Sequence, residues 1–181
     1  MNGGRSSPDP TNSLNRFAKD LSREDFLGVI LRGHLHIEAM LNAKIRARLR
    51  YPAAIQLDGD KGLGFAKKIE LAVAIGIVPN DLAPVFKRLN KYRNHLAHNL
   101  SFQPGLNEAR DFQRLFPPKV GSFYEYMKAK LPNVGDEALR IFRCSIIVLY
   151  LKLVVDLPEA LRLERENSRV RVPGQLNSAR H

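Results

Sequence analysis

The sequence of 181 residues has a single cysteine, Cys144, and it lacks any long uncharged hydrophobic run. One cysteine cannot form a disulfide framework, and its place in the apolar segment IFRCSIIVLYL indicates a buried, unreactive thiol and a reducing compartment. The most hydrophobic segment, 141–157, is interrupted by Arg143 and Lys152, whereas a membrane span needs roughly 20 mostly uncharged residues. This segment is therefore predicted to be a core helix.

Other patterns are also missing. No alternating apolar and polar stretch of useful length is present, which argues against β-strands, and the chain has no internal repeat. The N-terminal stretch MNGGRSSPDPTNS has no apolar segment behind its arginine, so we expect neither a secretory signal nor a transit peptide. No serine or cysteine is placed as a nucleophile. The expected location is the cytoplasm, without membrane contact.

Acidic residues are few relative to basic ones. The chain has 29 lysine and arginine residues against 18 aspartate and glutamate residues, a formal net charge of +11. Such an excess favours polyanionic partners through steering and counterion release, although a basic chain can also simply be soluble. With 44% apolar and 26% charged residues, the composition is that of a chain that folds around a core. Nucleic acid is therefore a candidate partner.

Glycine and proline cluster at a few positions and leave long stretches of helical periodicity between them, which predicts an all-α fold, a compact bundle of about four to six helices. One domain is expected over 13–165, between disordered tails at 1–12 and 166–181. The predicted helices are 14–20, a long helix that starts with Ser22 as cap and Asp25 three residues on and runs to about 50, 65–75, 82–99 capped by Asn80 or Asp81, 107–115, 123–130, and 136–157 with an amphipathic extension to Glu166.

The helix predicted at 82–99 carries the most distinctive polar pattern, KRLNKYRNHLAHNL. At about 100° per residue, Asn94 lies about 100° and His98 about 140° from Arg93, so the three share one polar arc beside an apolar stripe. His95 falls on roughly the opposite side and is predicted to be solvated. Histidine moves protons near neutral pH and arginine stabilises charge on phosphoryl oxygens, which suits phosphodiester chemistry. The alternative is that Arg93 and His98 only complement the helix dipole.

The tract LNKYRNHLAHN resembles the signature of the HEPN superfamily, an arginine followed by a polar residue, with a histidine after a four-residue gap. The resemblance implies a helical bundle that commonly dimerises so that two motifs face one cleft and, in catalytic members, cuts RNA without a metal. It implies that His98 is the acid/base, Arg93 the phosphate contact and Asn94 an orienting group. Basic residues earlier on the same helix are expected to contact RNA: Lys87, Arg88 and Lys91.

Residues 25–100 also resemble mannitol-repressor-like and related branches of that superfamily, in the order ILRGHLHIEAMLNAKI, LDGDKGLGFAKKIELAVAIGIV and then the motif. Those branches include regulators and accessory proteins, some without the arginine or the histidine, and this chain keeps both. Two functions follow as expectations. The first is a HEPN-type RNA-binding protein and candidate metal-independent endoribonuclease of toxin or phage-defence type, with an antitoxin. The second is a non-catalytic regulator acting through protein or DNA partners. A homodimer is expected, and no cofactor.

The helix predicted at 25–50 places two polar residues within an apolar stripe, which consists of Leu27, Leu31, His34, Glu38, Leu41 and Ile45. His34 and Glu38 are one turn apart and can pair, and a buried pair must be satisfied. Glu38 could orient His98 or Arg93. Alternatively, the two residues only satisfy each other or mark a dimer seam. No metal site is expected, because two ligands do not make one.

Two further patterns carry less weight. The chain around Ala72 and Gly76 is typical of two helices at a tight turn, as in a DNA-binding helix-turn-helix. The second helix, however, would begin with residues that offer little to base edges, Leu82, Ala83 and Pro84. The segment GDKGLG lacks the Gly-Lys-Ser/Thr ending of a phosphate-binding loop and is predicted to be a flexible connection.

Overall fold

A computed structural model describes residues 17–99, 101–131 and 135–154. In these residues the chain forms α-helices joined by turns and two short 3₁₀ turns, without a strand. The α-helices are α1 (17–22 in the described part), α2 (Phe26–Arg48), α3 (Phe65–Ala74), α4 (Ala83–His98), α5 (Leu106–Arg114), α6 (Pro118–Lys130) and α7 (Glu137–Val154). The predicted all-α bundle is confirmed. Four predictions lie outside the described residues: the two tails, the domain bounds, the first residues of the helix at 14–20 and the extension to Glu166.

Helix α7 is the centre of the core. Every residue from 141 to 150 is buried, and α7 packs against α2, α5 and α6. A helix that is apolar on all sides is stable only when other helices surround it. Cys144 is buried, as predicted, and burial raises the pKa of its thiol to about 12. In the described part of the chain, no helix is both long and apolar enough to cross a bilayer.

Arg143 is buried within α7, with 1% of its surface exposed. Its Nε donates to the carbonyl of Leu21 at 3.0 Å, and its Nη2 donates to the carbonyl of Glu24 at 3.1 Å. These carbonyls lie at and just beyond the end of α1, where backbone carbonyls have no hydrogen-bond partner within the helix. Arg143 therefore ties α1 and the turn after it to the central helix.

Two helix starts differ from the prediction. Asp25 alone caps α2, accepting a hydrogen bond from Gly28 N at 2.8 Å, whereas the Ser22 hydroxyl donates to the carbonyl of Lys19. Helix α6 begins at Pro118, five residues before the predicted start. A proline suits the first turn of a helix because its φ is already helical and its missing N–H would have no partner there.

The predicted cap of α4 is wrong. Neither Asn80 nor Asp81 caps the helix, because both belong to a 3₁₀ turn, Asn80–Leu82, that leads directly into α4. The Asp81 carboxylate instead pairs with Lys119 Nζ at 2.6 Å. The turn buries Leu82 and places the following polar residues of α4 at the surface.

Candidate functional site

A cavity of about 860 Å³ lies between α2, α3 and α4, and the loop 57–64 forms part of its wall. Cavities of this size fall within the usual range of small-molecule sites, roughly 300 to 1,000 Å³. Its charged lining residues are Glu38, Arg46, Asp58, Asp60, Lys67, Lys68 and Arg93. The cavity therefore brings together three carboxylates and four cations from three helices and a loop.

The loop depends on two glycines of the GDKGLG segment. Gly59 has a φ of +82°, and a Cβ on Gly62 would lie 2.7 Å from the backbone of Asp58. The turn closes with a hydrogen bond from Gly62 N to the carbonyl of Gly59 at 2.9 Å. Only glycine adopts such a conformation without strain. The tight turn holds the Asp58 side chain over α2.

Asp58, which directly precedes the GDKGLG segment, ties this loop to α2. Asn42 Nδ2 donates to Asp58 Oδ1 at 2.5 Å, and the Arg46 guanidinium donates to Oδ2. The Arg46 hydrogen bond lowers the pKa of the Asp58 carboxyl, and the nearby ammonium of Lys68 acts in the same direction. The side-chain oxygen of Asn42, by contrast, has no hydrogen-bond partner in the described part of the chain.

Glu38 lies between a buried lysine and a buried histidine. Lys68, with 3% of its side chain exposed, places Nζ 2.5 Å from Glu38 Oε1, and His34 Nδ1 is 3.7 Å from Glu38 Oε2. The two residues predicted to pair lie close together, but at 3.7 Å and with a neutral imidazole they form neither a hydrogen bond nor an ion pair. Among the described residues, Glu38 forms no hydrogen bond or ion pair with Arg93 or His98, so the orienting role considered for it is not seen.

Sequence reasoning missed Lys68, although a signal was present. Lys68 comes three residues after Phe65 and four before Ala72, and both are buried on the inner face of α3. Residues at these spacings share one helix face, so a lysine there must be buried. A buried ammonium needs an acidic partner, which would have pointed to the Glu38 helix.

His34 is held in its neutral form. Burial lowers the pKa of its imidazole from 6.5 to about 4; Glu38 and Asn90 act to raise it, whereas Arg93 and Lys68 lower it further. The ring packs on Phe65 with centroids 4.2 Å apart, and Nε2 makes no hydrogen bond of normal geometry in the described residues. At neutral pH the cavity wall therefore contains an uncharged imidazole.

The lowered pKa of His34 predicts a loss of stability in mild acid. Below about pH 6.5 the unfolded chain binds a proton that the folded chain does not bind until about pH 4, so the free energy of unfolding should fall across this window. At about 1.4 kcal/mol per pKa unit, the loss approaches about 3 kcal/mol. Urea unfolding near pH 7 and near pH 4.5 measures it. A His34→Gln variant should lose much less stability between these two pH values. An equal loss would assign the effect to another titratable group.

The motif residues on α4 are exposed. Arg93 donates from Nη1 to Asn94 Oδ1 at 3.1 Å, and both residues line the cavity, whereas His98, at the end of the helix, does not. Among the described residues no carboxylate forms an ion pair with Arg93. His95, on the other side of α4, is exposed but stacks on Phe102 with ring centroids 4.3 Å apart.

The basic residues predicted to contact RNA divide into two groups. At about 100° per residue, Lys87 and Lys91 fall on the same arc of α4 as Asn94 and His98, within about 60°, and all four are exposed. Arg88 lies on another side of the helix, half-buried beside the Tyr92 hydroxyl. The two lysines therefore lie beside Asn94 and His98, whereas Arg93 is roughly 120–160° away from them around the helix and Arg88 is on another side.

The helix-turn-helix pattern is only partly reproduced. Gly76 has a φ of +75° and makes the tight turn after α3. The residues that would enter a DNA groove, however, include the buried Leu82 and Ala83. The first turn of α4 is therefore packed against the core.

The chain was also compared with known proteins. No protein-family model, curated protein or solved structure matches it. In the described residues no cluster of three histidine, cysteine, aspartate or glutamate side chains could hold a metal ion. The resemblance to the HEPN superfamily thus stays a prediction from the motif and its place on α4.

Proposed function

We propose that this protein binds single-stranded RNA along the exposed arc of α4 and cleaves it as a HEPN-type, metal-independent endoribonuclease. The observation that carries the proposal is the exposure of Arg93, Asn94 and His98 on α4, with Arg93 and Asn94 lining the cavity and no carboxylate paired to Arg93 in the described residues. An unpaired guanidinium can bind a phosphate without first breaking an ion pair. A bundle that needed Arg93 only for stability would be expected to pair it.

In the proposed reaction, neutral His98 takes the proton of a ribose 2′-hydroxyl as that oxygen attacks the adjacent phosphorus. The bond from phosphorus to O5′ breaks, and the products carry a 2′,3′-cyclic phosphate and a 5′-hydroxyl. Arg93 stabilises the charge on the non-bridging oxygens, and Asn94 orients its guanidinium. The departing O5′ takes its proton from the partner subunit's His98, which acts in its protonated form, in the dimer that the HEPN resemblance implies.

The charge of the chain supports an RNA substrate. The net charge is +11, and the exposed Lys87 and Lys91 lie on the side of α4 that carries Asn94 and His98. Lysines on an exposed helix face contact phosphates without regard to sequence. Each such contact releases counterions, so binding weakens as the salt concentration rises. The proposal therefore includes an affinity for RNA that falls steeply with ionic strength.

The test is to incubate the purified chain with a labelled single-stranded RNA in excess EDTA. We expect fragments ending in a 2′,3′-cyclic phosphate, and no cleavage of the matching DNA, which lacks the attacking 2′-hydroxyl. If the RNA stays intact and induction of the chain does not slow cell growth, the ribonuclease proposal is wrong. The regulator function implied by the same resemblance would then be the one to pursue.

A further inference from the structure

The end of helix α2 carries cations that the motif on α4 does not use. Arg48 and Arg50 are exposed, and the half-buried Lys44 lies one turn before Arg48. Among the described residues, none of the three pairs with a carboxylate or donates a hydrogen bond to a carbonyl at the helix end. The helix dipole favours cations within the last turn, but Arg50 lies beyond the helix. These charges are therefore available to an external anion.

An aromatic ring follows these cations directly. Tyr51 is 68% exposed, more than any other large hydrophobic side chain in the described part of the chain. The Arg50 guanidinium lies over the ring, 5.4 Å from its centroid, and no other ring or cation contacts it among the described residues. The 3₁₀ turn that comes next, Pro52–Ala54, buries no residue. Tyr51 thus has no packing role in the core and leaves one ring face open.

The position of the Tyr51 ring is restricted before any partner binds. Pro52 limits the backbone conformations of the residue that precedes it. A tyrosine side chain has only two rotatable angles, so fixing it on binding costs little conformational entropy. Exposed tyrosine rings with these properties are suited to contact a flat, partly apolar group.

A shallow groove extends this surface along α2. It has a volume of about 380 Å³ and is lined by Ala43, Lys44, Ala47, Arg48 and Ile77. Its apolar lining residues thus lie beside two cations. The groove shares no lining residue with the cavity at the motif, so the two are separate sites.

We propose that Lys44, Arg48, Arg50 and Tyr51 form a second RNA-binding surface, on which one base stacks against Tyr51 and the cations bind the flanking phosphates. The inference rests on the proposed RNA-binding function and extends it. Proteins that bind single strands without regard to sequence combine basic surfaces with exposed aromatic rings, because every base has a face that can stack. The net charge of +11 favours such a polyanion over a protein partner.

The distance between this surface and the motif sets a minimum length for an RNA that contacts both. His34 lines the cavity together with Arg93, and Arg48 lies fourteen residues further along α2, about 21 Å at 1.5 Å per residue. A strand stacked at about 3.4 Å per nucleotide covers this distance with roughly six nucleotides. Longer RNAs should therefore bind more tightly than short ones, because the second contact becomes intramolecular.

The stacking contact is tested at Tyr51. The proteins carry His98→Ala so that the RNA stays intact, and the probe is a labelled oligouridylate long enough to reach both sites. Tyr51→Ala should weaken binding by about tenfold, within the range for the loss of one stacked base, whereas Tyr51→Phe should bind as the parent does. Because the side chain is exposed, urea unfolding should show no loss of stability in either variant. Equal binding by Tyr51→Ala and the parent overturns the stacking contact.

The phosphate contacts are tested by salt dependence. The double variant Arg48→Gln, Arg50→Gln removes two contacts, so the slope of log affinity against log salt should become shallower by about 1.4, at about 0.7 per contact with a single strand. The charge-matched control is Arg110→Gln, Arg114→Gln on α5, where both arginines are paired with carboxylates. The control should leave the slope nearly unchanged. An equal change in both double variants would mean that only net charge matters, which overturns the surface.

The same variants separate this surface from the ribonuclease. With His98 intact, the Tyr51→Ala chain should cut tetrauridylate, which is too short to reach both sites, at the parental rate. It should cut the longer oligouridylate more slowly than the parent when the RNA is dilute. Binding that depends on Tyr51, by a chain that cuts no RNA, supports the second surface and rejects the ribonuclease. Cleavage by a chain whose binding depends on neither Tyr51 nor the two arginines does the reverse.

Discussion

Replacing His98 with alanine should slow RNA cleavage by about 10²–10⁴-fold, the usual contribution of a histidine placed to move a proton in the transition state. The side chain is exposed at the last residue of α4 and makes no hydrogen bond, ion pair or ring contact among the described residues. Its removal should therefore leave the fold intact. Single-turnover cleavage of a labelled RNA, together with urea unfolding of the same variant, measures both effects.

The control for this prediction is another histidine of the same helix. His95 stacks on Phe102 on the other side of α4, so His95→Ala should keep most of the activity while losing a packing contact. Arg93→Ala should lower cleavage as His98→Ala does, since it removes the proposed phosphate contact. If His98→Ala lowers the free energy of unfolding and leaves cleavage unchanged, the histidine only complements the helix dipole.

Much of the fold could be predicted because its signals are local. Every long helix was predicted from the apolar run of α7 and the positions of glycine and proline. The errors occurred at helix ends, where local signals compete. Pro118 lies outside the predicted helix at 123–130, although a proline also suits the first turn of a helix. Asn80 and Asp81 are good caps by composition, but the chain uses them in a 3₁₀ turn. Residue type alone does not distinguish a loop from a helix start, or a helix cap from a 3₁₀ turn.

The site was predictable only where it lies on one helix. The proximity of His34 to Glu38 follows from a spacing of four residues, and so does the common arc of Asn94 and His98 on α4. The contact between Lys68 and Glu38 joins residues 30 positions apart and depends on how α2 and α3 pack. No local pattern specifies that packing. The cavity that results from it was therefore not foreseen.

Replacing Lys68 with methionine should lower the free energy of unfolding by about 3 kcal/mol or more, because it leaves the Glu38 carboxylate without its cation. The 26% exposure of Glu38 puts the expected loss near the lower end of the range for broken buried ion pairs. The matched control is Lys67→Met, the neighbouring exposed lysine, whose surface pair with Glu70 should contribute little. Urea unfolding at neutral pH compares the two variants.

The double variant Lys68→Met, Glu38→Gln shows whether Lys68 contributes only to stability or also to RNA binding. It removes both charges, so it should regain most of the stability that the single variant loses. In the single variant the unpaired Glu38 faces a cavity that Arg93 also lines, and a carboxylate there competes with phosphate for the guanidinium. RNA affinity should therefore fall in Lys68→Met and recover in the double variant. If affinity stays low once stability is restored, Lys68 itself contacts the RNA and the ion pair is part of the binding surface.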